Sequence, residues 1–114
     1  MQSVLISIKK LLGISEEYTP FDDVIIMHIN SALMAVNQLG VGPEKPAYIT
    51  DQMDTWQSTL GDIENVEAIK SYIYLKVRLL FDPPASSFVL ESINRQITEW
   101  EVRLNIQAEN NKEV

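Results

Sequence analysis

Two consecutive prolines, Pro83 and Pro84, divide the most apolar half of this chain, and that break limits the fold more than any other feature. Proline lacks an amide hydrogen and disfavours a helical residue before it, so no helix runs through Asp82-Pro83-Pro84. On the N-terminal side, from about Ile63 to Phe81, residues Val66, Ile69, Ile73, Val77 and Leu80 fall at helical spacing, with Tyr72, Leu75 and Leu79 beside them. So wide a stripe predicts a central helix. On the other side, Ser86 or Ser87 is placed to cap a last helix, about Ser87 to Gln107. There Leu90, Ile93, Ile97, Trp100 and Leu104 recur in steps of three and four. So short a connection makes the two helices antiparallel neighbours.

The remaining punctuation divides the rest of the chain. Ser3 to Leu12 carries Val4, Ile8, Leu11 and Leu12 on one side and is followed by Gly13, the signature of a short amphipathic helix. Beyond the acidic turn Ser15-Glu16-Glu17, Pro20 and Gly40 bracket a second helix from about Phe21 to Leu39, whose core face is Phe21, Ile25, Ile29, Leu33, Val36 and Leu39. Residues 40–50, GVGPEKPAYIT, hold two glycines and two prolines and form a loop. Within it Tyr48-Ile49-Thr50 has room for a short strand, although no partner strand is evident. Thr50 or Asp51 is placed to cap a brief helix through Trp56 to Leu60, closed by Gly61. The expected fold is all-α, a small bundle of four to five helices with one longer Gly/Pro loop. Residues 1–107 make a single domain, and the polar stretch 108–114 is expected to be a flexible tail.

With 114 residues, 46% of them hydrophobic, the chain has material for one core. Its formal charge of −7 opposes nucleic-acid binding through phosphate neutralisation. The absence of cysteine rules out disulfides and thiolate zinc ligation and fits folding inside a cell. MQSVLISIKKLLGI lacks the architecture of a secretory signal, and no apolar run reaches the roughly 20 residues of a membrane span. Charge is uneven. Residues 13–69 contain a single base, Lys45, amid ten acids, whereas Lys70, Lys76 and Arg78 follow one another without an intervening acid. This pattern reads either as a solvated acidic face or as acidic and basic sides of neighbouring subunits that meet in an oligomer.

No constellation carries chemistry. His28 is the only histidine, so a multi-histidine metal site within one chain is excluded, and it reads as a packing or partly exposed residue. The pairs Glu16-Glu17 and Asp22-Asp23 suit the positive end of the second helix better than acid–base work, because adjacent helical residues point apart. Gly40-x-Gly42 lacks the further glycines and lysine of a phosphate loop. Tyr72, Tyr74, Lys76 and Arg78 fall on different helix faces, and both tyrosines read as core-edge residues whose hydroxyls reach solvent or a neighbour. No catalytic, cofactor-binding or metal-ligating residue is assigned.

Several features in order nevertheless form a recognisable whole. They are a short first helix ending LLGI, then FDDVIIMHINSALMAVNQLGVG, Trp56 in a short helix, and SYIYLKVRLLFDPPASSFVLESINRQITEWEVRLN. The most specific block is Tyr72 to Ser87, with Glu99 and Arg103 spaced Glu-x-x-x-Arg in the helix after it. Over roughly residues 5–105 the chain resembles the head-tail connector family, also called adaptor or head-completion proteins, of long-tailed double-stranded DNA phages and prophages. The resemblance implies a virion protein made in the host cytoplasm. It further implies a homo-oligomeric ring, dodecameric by that likeness, beneath the portal protein. Such a ring extends the DNA channel without gripping DNA and offers a platform to tail or tail-completion (stopper) proteins. It brings no catalytic residue and no cofactor. The segment after the last apolar seam, with Asn105, Ile106, Gln107, Glu109, Asn110, Lys112 and Val114, is the expected docking surface for the portal. Two other readings fit the same residues: a small acidic helical regulator that binds one partner, and an enzyme whose site is shared between subunits. For the core, Ile73→Ala or Ile97→Ala should each cost about 2–5 kcal/mol in urea denaturation, and wild-type stability in both would contradict the predicted helix pairing.

Overall fold

A computed structural model describes residues 2–63 and 65–112, with the side chains of residues 111 and 112 excepted. Five helices follow in order: α1 (Val4–Leu11), α2 (Asp22–Gln38), α3 (Trp56–Leu60), α4 (Val66–Phe81) and α5 (Ser87–Lys112). Side chains cap the starts of α1, α3 and α5, whereas α2 and α4 begin without a side-chain cap. The Ser3 hydroxyl accepts from Ile6 N at 3.3 Å at the head of α1. Thr55 and Ser58 form a reciprocal capping box on α3. Ser86 Oγ accepts from Val89 N at 3.4 Å at the head of α5. The cap of α3 is therefore Thr55, and not Thr50 or Asp51. Those two residues instead donate their backbone N–H groups to Asp54 Oδ2, at 2.7 and 3.3 Å, in a tight turn just before α3.

The architecture is an array with α4 in the middle. α2 packs along one side of α4 more extensively than α5 does along the other, and α1 lies across α2 and α4. The core is a single cluster built from Val4, Leu5 and Ile8 of α1, Ile25, Ile29, Leu33 and Val36 of α2, Ile69, Ile73 and Val77 of α4, and Ile93, Ile97 and Leu104 of α5. Directions follow from the ends. The Phe21 and Phe81 rings meet edge to face at 5.3 Å, so the start of α2 lies against the end of α4. Because α5 returns antiparallel to α4, as Tyr72–Glu101 pairing confirms at 2.8 Å, α2 and α5 run in the same direction.

Three core expectations change at helix ends. Phe21 and Leu80 are exposed, because Phe21 caps the start of α2 and Leu80 lies in the last turn of its antiparallel neighbour α4, where cover runs out. Leu39, in the cap after α2, is half-buried. Tyr72 and Leu75 take interior places on α4.

No strand forms among the described residues. The sole bridge joins Ser3 to Thr55, fastening the chain before α3 to the head of α1. At residues 48–50 the polar backbone finds a side-chain partner instead. Asn30 Nδ2 donates to Ile49 O at 3.0 Å, and Ile49 N donates to Asn30 Oδ1 at 2.7 Å. One amide thus satisfies both polar groups of a buried loop residue. Two turns along α2, Asn37 Nδ2 donates to Pro43 O and Glu44 O at 3.1 and 3.2 Å, so the Gly/Pro loop is tied down along one side of that helix.

The junction between α1 and α2 depends on a buried cation. Gly13 adopts φ +81, a left-handed conformation that ends α1 and turns the chain back. The returning segment delivers three acceptors to Lys9 Nζ. They are Tyr18 O at 2.7 Å, Glu16 O at 3.1 Å and a carboxylate oxygen of Asp22 at 2.9 Å. Lys9 is 1% exposed, yet each of its three donors has an acceptor within reach. The Asp22 contact is an ion pair off the line of a hydrogen bond, and that oxygen takes no other partner among the described residues.

α5 continues through Lys112, past Gln107, the end that the sequence predicts for this helix. The reason is packing. Ala108 is buried, one step of four beyond Leu104, so the seam goes on with a small residue. Residues 113 and 114 lie outside the described residues. Breaking the Lys9 pair should unfold this junction first. Lys9→Ala strands a mostly buried carboxylate and two carbonyls at a cost of about 3 kcal/mol, whereas Lys9→Met with Asp22→Asn should recover part of the loss in urea denaturation.

Candidate functional site

The residue types examined for chemistry do not converge. His28 is half-buried on α2, Asp22 is committed to Lys9, and Asp23 is exposed. Glu17 accepts from the Ser15 hydroxyl at 2.6 Å, which holds its carboxyl below the usual range, in a turn open to water. Among the described residues no group of three or more His, Asp or Glu is placed to hold a metal ion. No helix among them is long and apolar enough to cross a membrane.

Two polar arrangements belong to the framework. Tyr72 is fully buried, not at the core edge, and its hydroxyl donates to Glu101 Oε2 at 2.8 Å, joining α4 to α5. Burial pushes the phenol well above the usual tyrosine range, and the Glu101 carboxylate adds to the shift by accepting its proton and by its charge. Tyr74 lies on another face and its hydroxyl accepts from Arg78 at 3.2 Å. Trp56 is almost wholly buried, with its indole N–H donated to the Ser7 hydroxyl at 3.1 Å. Beside it, a shallow depression of about 300 Å³ is bridged by Lys70, which reaches Gln2 Oε1 at 2.6 Å and Glu67 Oε1 at 3.3 Å. Glu99 and Arg103 form no ion pair. Arg103 lies 5.5 Å from the centroid of the Trp100 ring.

The segment expected to dock on a partner divides in two. Asn105 Nδ2 donates to Leu39 O at 3.2 Å, so α5 closes off the carbonyl end of α2 and this residue has an internal task. Ile106, Glu109 and Asn110 are exposed, and Gln107 is half-buried. Lys112 is the last residue of α5, and Val114 lies outside the described residues.

The larger exposed features are apolar faces that sequence reading passed over. On the side of α2 away from α4, Val24, Met27 and Met34 are exposed, Met27 to 58%. On α5 the corresponding side bears Phe88, exposed to 78%, together with Val102 and Ile106. The signal was present in the sequence. No Asp, Glu, Lys or Arg occurs from Val24 to Pro43, so α2 has no charged residue for its outer face beyond its first turn. These exposed apolar side chains make the two helix faces the candidate interaction surfaces of the chain.

A small helical array with polar groups spent on its own joints and apolar faces turned outward is the form of an assembly subunit. The family model for phage connector proteins matches residues 4–111, and the chain belongs to that family. It is a phage connector-type structural protein, and membership implies a place in the virion. No curated protein and no solved structure matches the chain.

The Tyr72–Glu101 joint makes stability depend on alkaline pH. The neutral phenol is favoured in the folded chain but not in the unfolded one, so stability should fall as pH rises past about 10, the ordinary tyrosine value. Tyr72→Phe should flatten that limb and lower neutral-pH stability by about 1–2 kcal/mol. Urea denaturation at several pH values, with ultraviolet titration of the phenols, checks both effects. An unchanged alkaline limb would contradict this account.

Proposed function

We propose that this protein is a head-tail connector subunit that forms a ring beneath the portal, extends the DNA channel and presents a platform for tail or tail-completion proteins. The observation that carries this reading is the connector-family match across residues 4–111. The exposed apolar faces of α2 and α5 support it, because a subunit in a ring needs contacts on more than one side. A charge of −7 suits a conduit, since DNA has to slide past without being held.

In this reading the end of α5 reaches the portal through Ile106, Glu109, Asn110, Lys112 and Val114. Acidic protomers repel one another, so the purified chain alone is monomeric and the ring, dodecameric by resemblance, forms on the portal. Negative-stain microscopy and native mass spectrometry of chain plus portal should give a large symmetric species. A compact one-to-one complex with some other target would favour a regulator instead. Truncation after Ala108 keeps the Asn105–Leu39 bond and the last buried seam residue. The shortened chain should stay folded by circular dichroism yet fail to join portal-containing heads. Infectious particles at wild-type yield would remove the docking role.

A further inference from the structure

α2 and α5 flank α4 on either side of a slab measuring 44 × 36 × 19 Å. Each turns an unpartnered seam outward. On α2 it consists of Val24, Met27, Ser31, Met34 and Gln38, and on α5 of Phe88, Ser92, Arg95, Glu99 and Val102. Both follow the alternating three- and four-residue steps by which one helix packs lengthwise on another. Met27 and Met34 supply flexible apolar contacts that adapt to an opposing helix. Ile106, a turn beyond Val102, belongs to the segment assigned to the portal.

We propose that the α2 seam of one copy docks on the α5 seam of the next copy, and that this repeated contact is what closes the ring. The inference rests on the connector reading above. Three observations favour a second copy as the occupant. First, the seams lie on opposite flanks of one molecule, which suits a head-to-tail contact that each new copy repeats. Second, α2 and α5 run in the same direction, so rotation about a ring axis parallel to the helices lays one along the other without reversing either. Asn105 beside Leu39 fixes their relative height and sets the Asp23 end of one seam level with the Phe88–Arg95 end of the other. Third, no like charges are forced together. The α2 flank has Asp23 at its head and no Lys or Arg between Lys10 and Lys45, so it sets no base against Arg95, which stands in the α5 seam without an ion-pair partner among the described residues, and Glu99, a turn further along, falls level with the uncharged stretch around Met34.

The chain has no cysteine, so introduced thiols report on these flanks alone. Met34→Cys and Val102→Cys sit at similar heights on the two seams. With a short bis-maleimide linker, the double variant should give a ladder of covalent oligomers extending past the dimer, either free or assembled on portal. An equimolar mixture of the two single variants should stop at the dimer, and each single variant alone should remain uncoupled. Adding Met27→Lys to Val102→Cys, and mixing with Met34→Cys, should leave the dimer intact, because the charge then sits on the flank that is not being joined. Placing Met27→Lys in the Met34→Cys chain sets a second base against Arg95 and should abolish the dimer while circular dichroism stays unchanged. Self-coupling of Met34→Cys, coupling of either single variant to portal or tail protein in place of its own kind, or no ladder in either setting would overturn the proposal. If microscopy finds the ring on portal while the ladder is missing, only the seam assignment fails. If the ladder forms but no ring joins portal, the seam contact stands and the connector reading fails.

Discussion

Placing an ammonium group in an apolar core costs several kcal/mol unless acceptors replace its water, and the geometry around Lys9 is arranged to supply them. The acceptors come from the α1–α2 connection and from the first turn of α2. The connection can therefore take only those paths that carry Glu16, Tyr18 and Asp22 past one point. This fixes where α2 begins. It also sets Tyr18 and Phe21 in aromatic contact, with centroids 5.6 Å apart, and leads Phe21 onto Phe81 at the end of α4. A neutral side chain at position 9 would fill the space without specifying the path, which is the difference between a buried ion as glue and a buried ion as an address.

The helices themselves were legible because their signals are local. Gly13, Gly40, Pro83-Pro84 and the serine before α5 act within a turn of where they stand, and the seam of Ile93, Ile97 and Leu104 needs only periodicity. Lys9 was not legible. In sequence it is one of two adjacent lysines at the end of an amphipathic helix, where bases are favoured by the helix dipole, and only the returning chain shows that one of them is enclosed. The same holds for Asn30 and Asn37, which read as polar residues on a helix surface until the loop is seen to be bonded to them. Composition hides the helix boundary at Ala108: a polar stretch carries no apolar stripe, yet one small residue in register is buried and the helix runs past it.

The candidate surface was legible in a different sense. The expected docking segment is defined in sequence only by the end of the apolar seam and by the family resemblance, and its members differ in the fold: Asn105 closes the end of α2, while Ile106 and Glu109 face outward. The α2 face is hard to see in the sequence because its outward Met27 and Met34 merge with the apolar residues of the core face. An amphipathic helix on a monomer's surface would have charged residues opposite Ile25, Ile29 and Val36. Their absence is a positive statement about that face, and it can be read without a structure by asking where the charges are instead of where the apolar residues are.

Net charge and seam contacts act over different distances, and that difference gives a physical account of ordered assembly. Repulsion between acidic protomers is felt out to about the Debye length, roughly 8 Å at physiological salt, and slows encounters between free copies. Apolar contact along a helix seam acts only at touching distance. In the ring proposed above, two free copies must bear the translational and rotational cost of association for one narrow contact, which favours the monomer in solution. A scaffold that holds copies side by side removes most of that cost by raising their effective concentration, and each copy then gains a contact on both flanks. On the proposed reading, dispersal while the subunit accumulates and joining only on a template both follow from these two ranges of force.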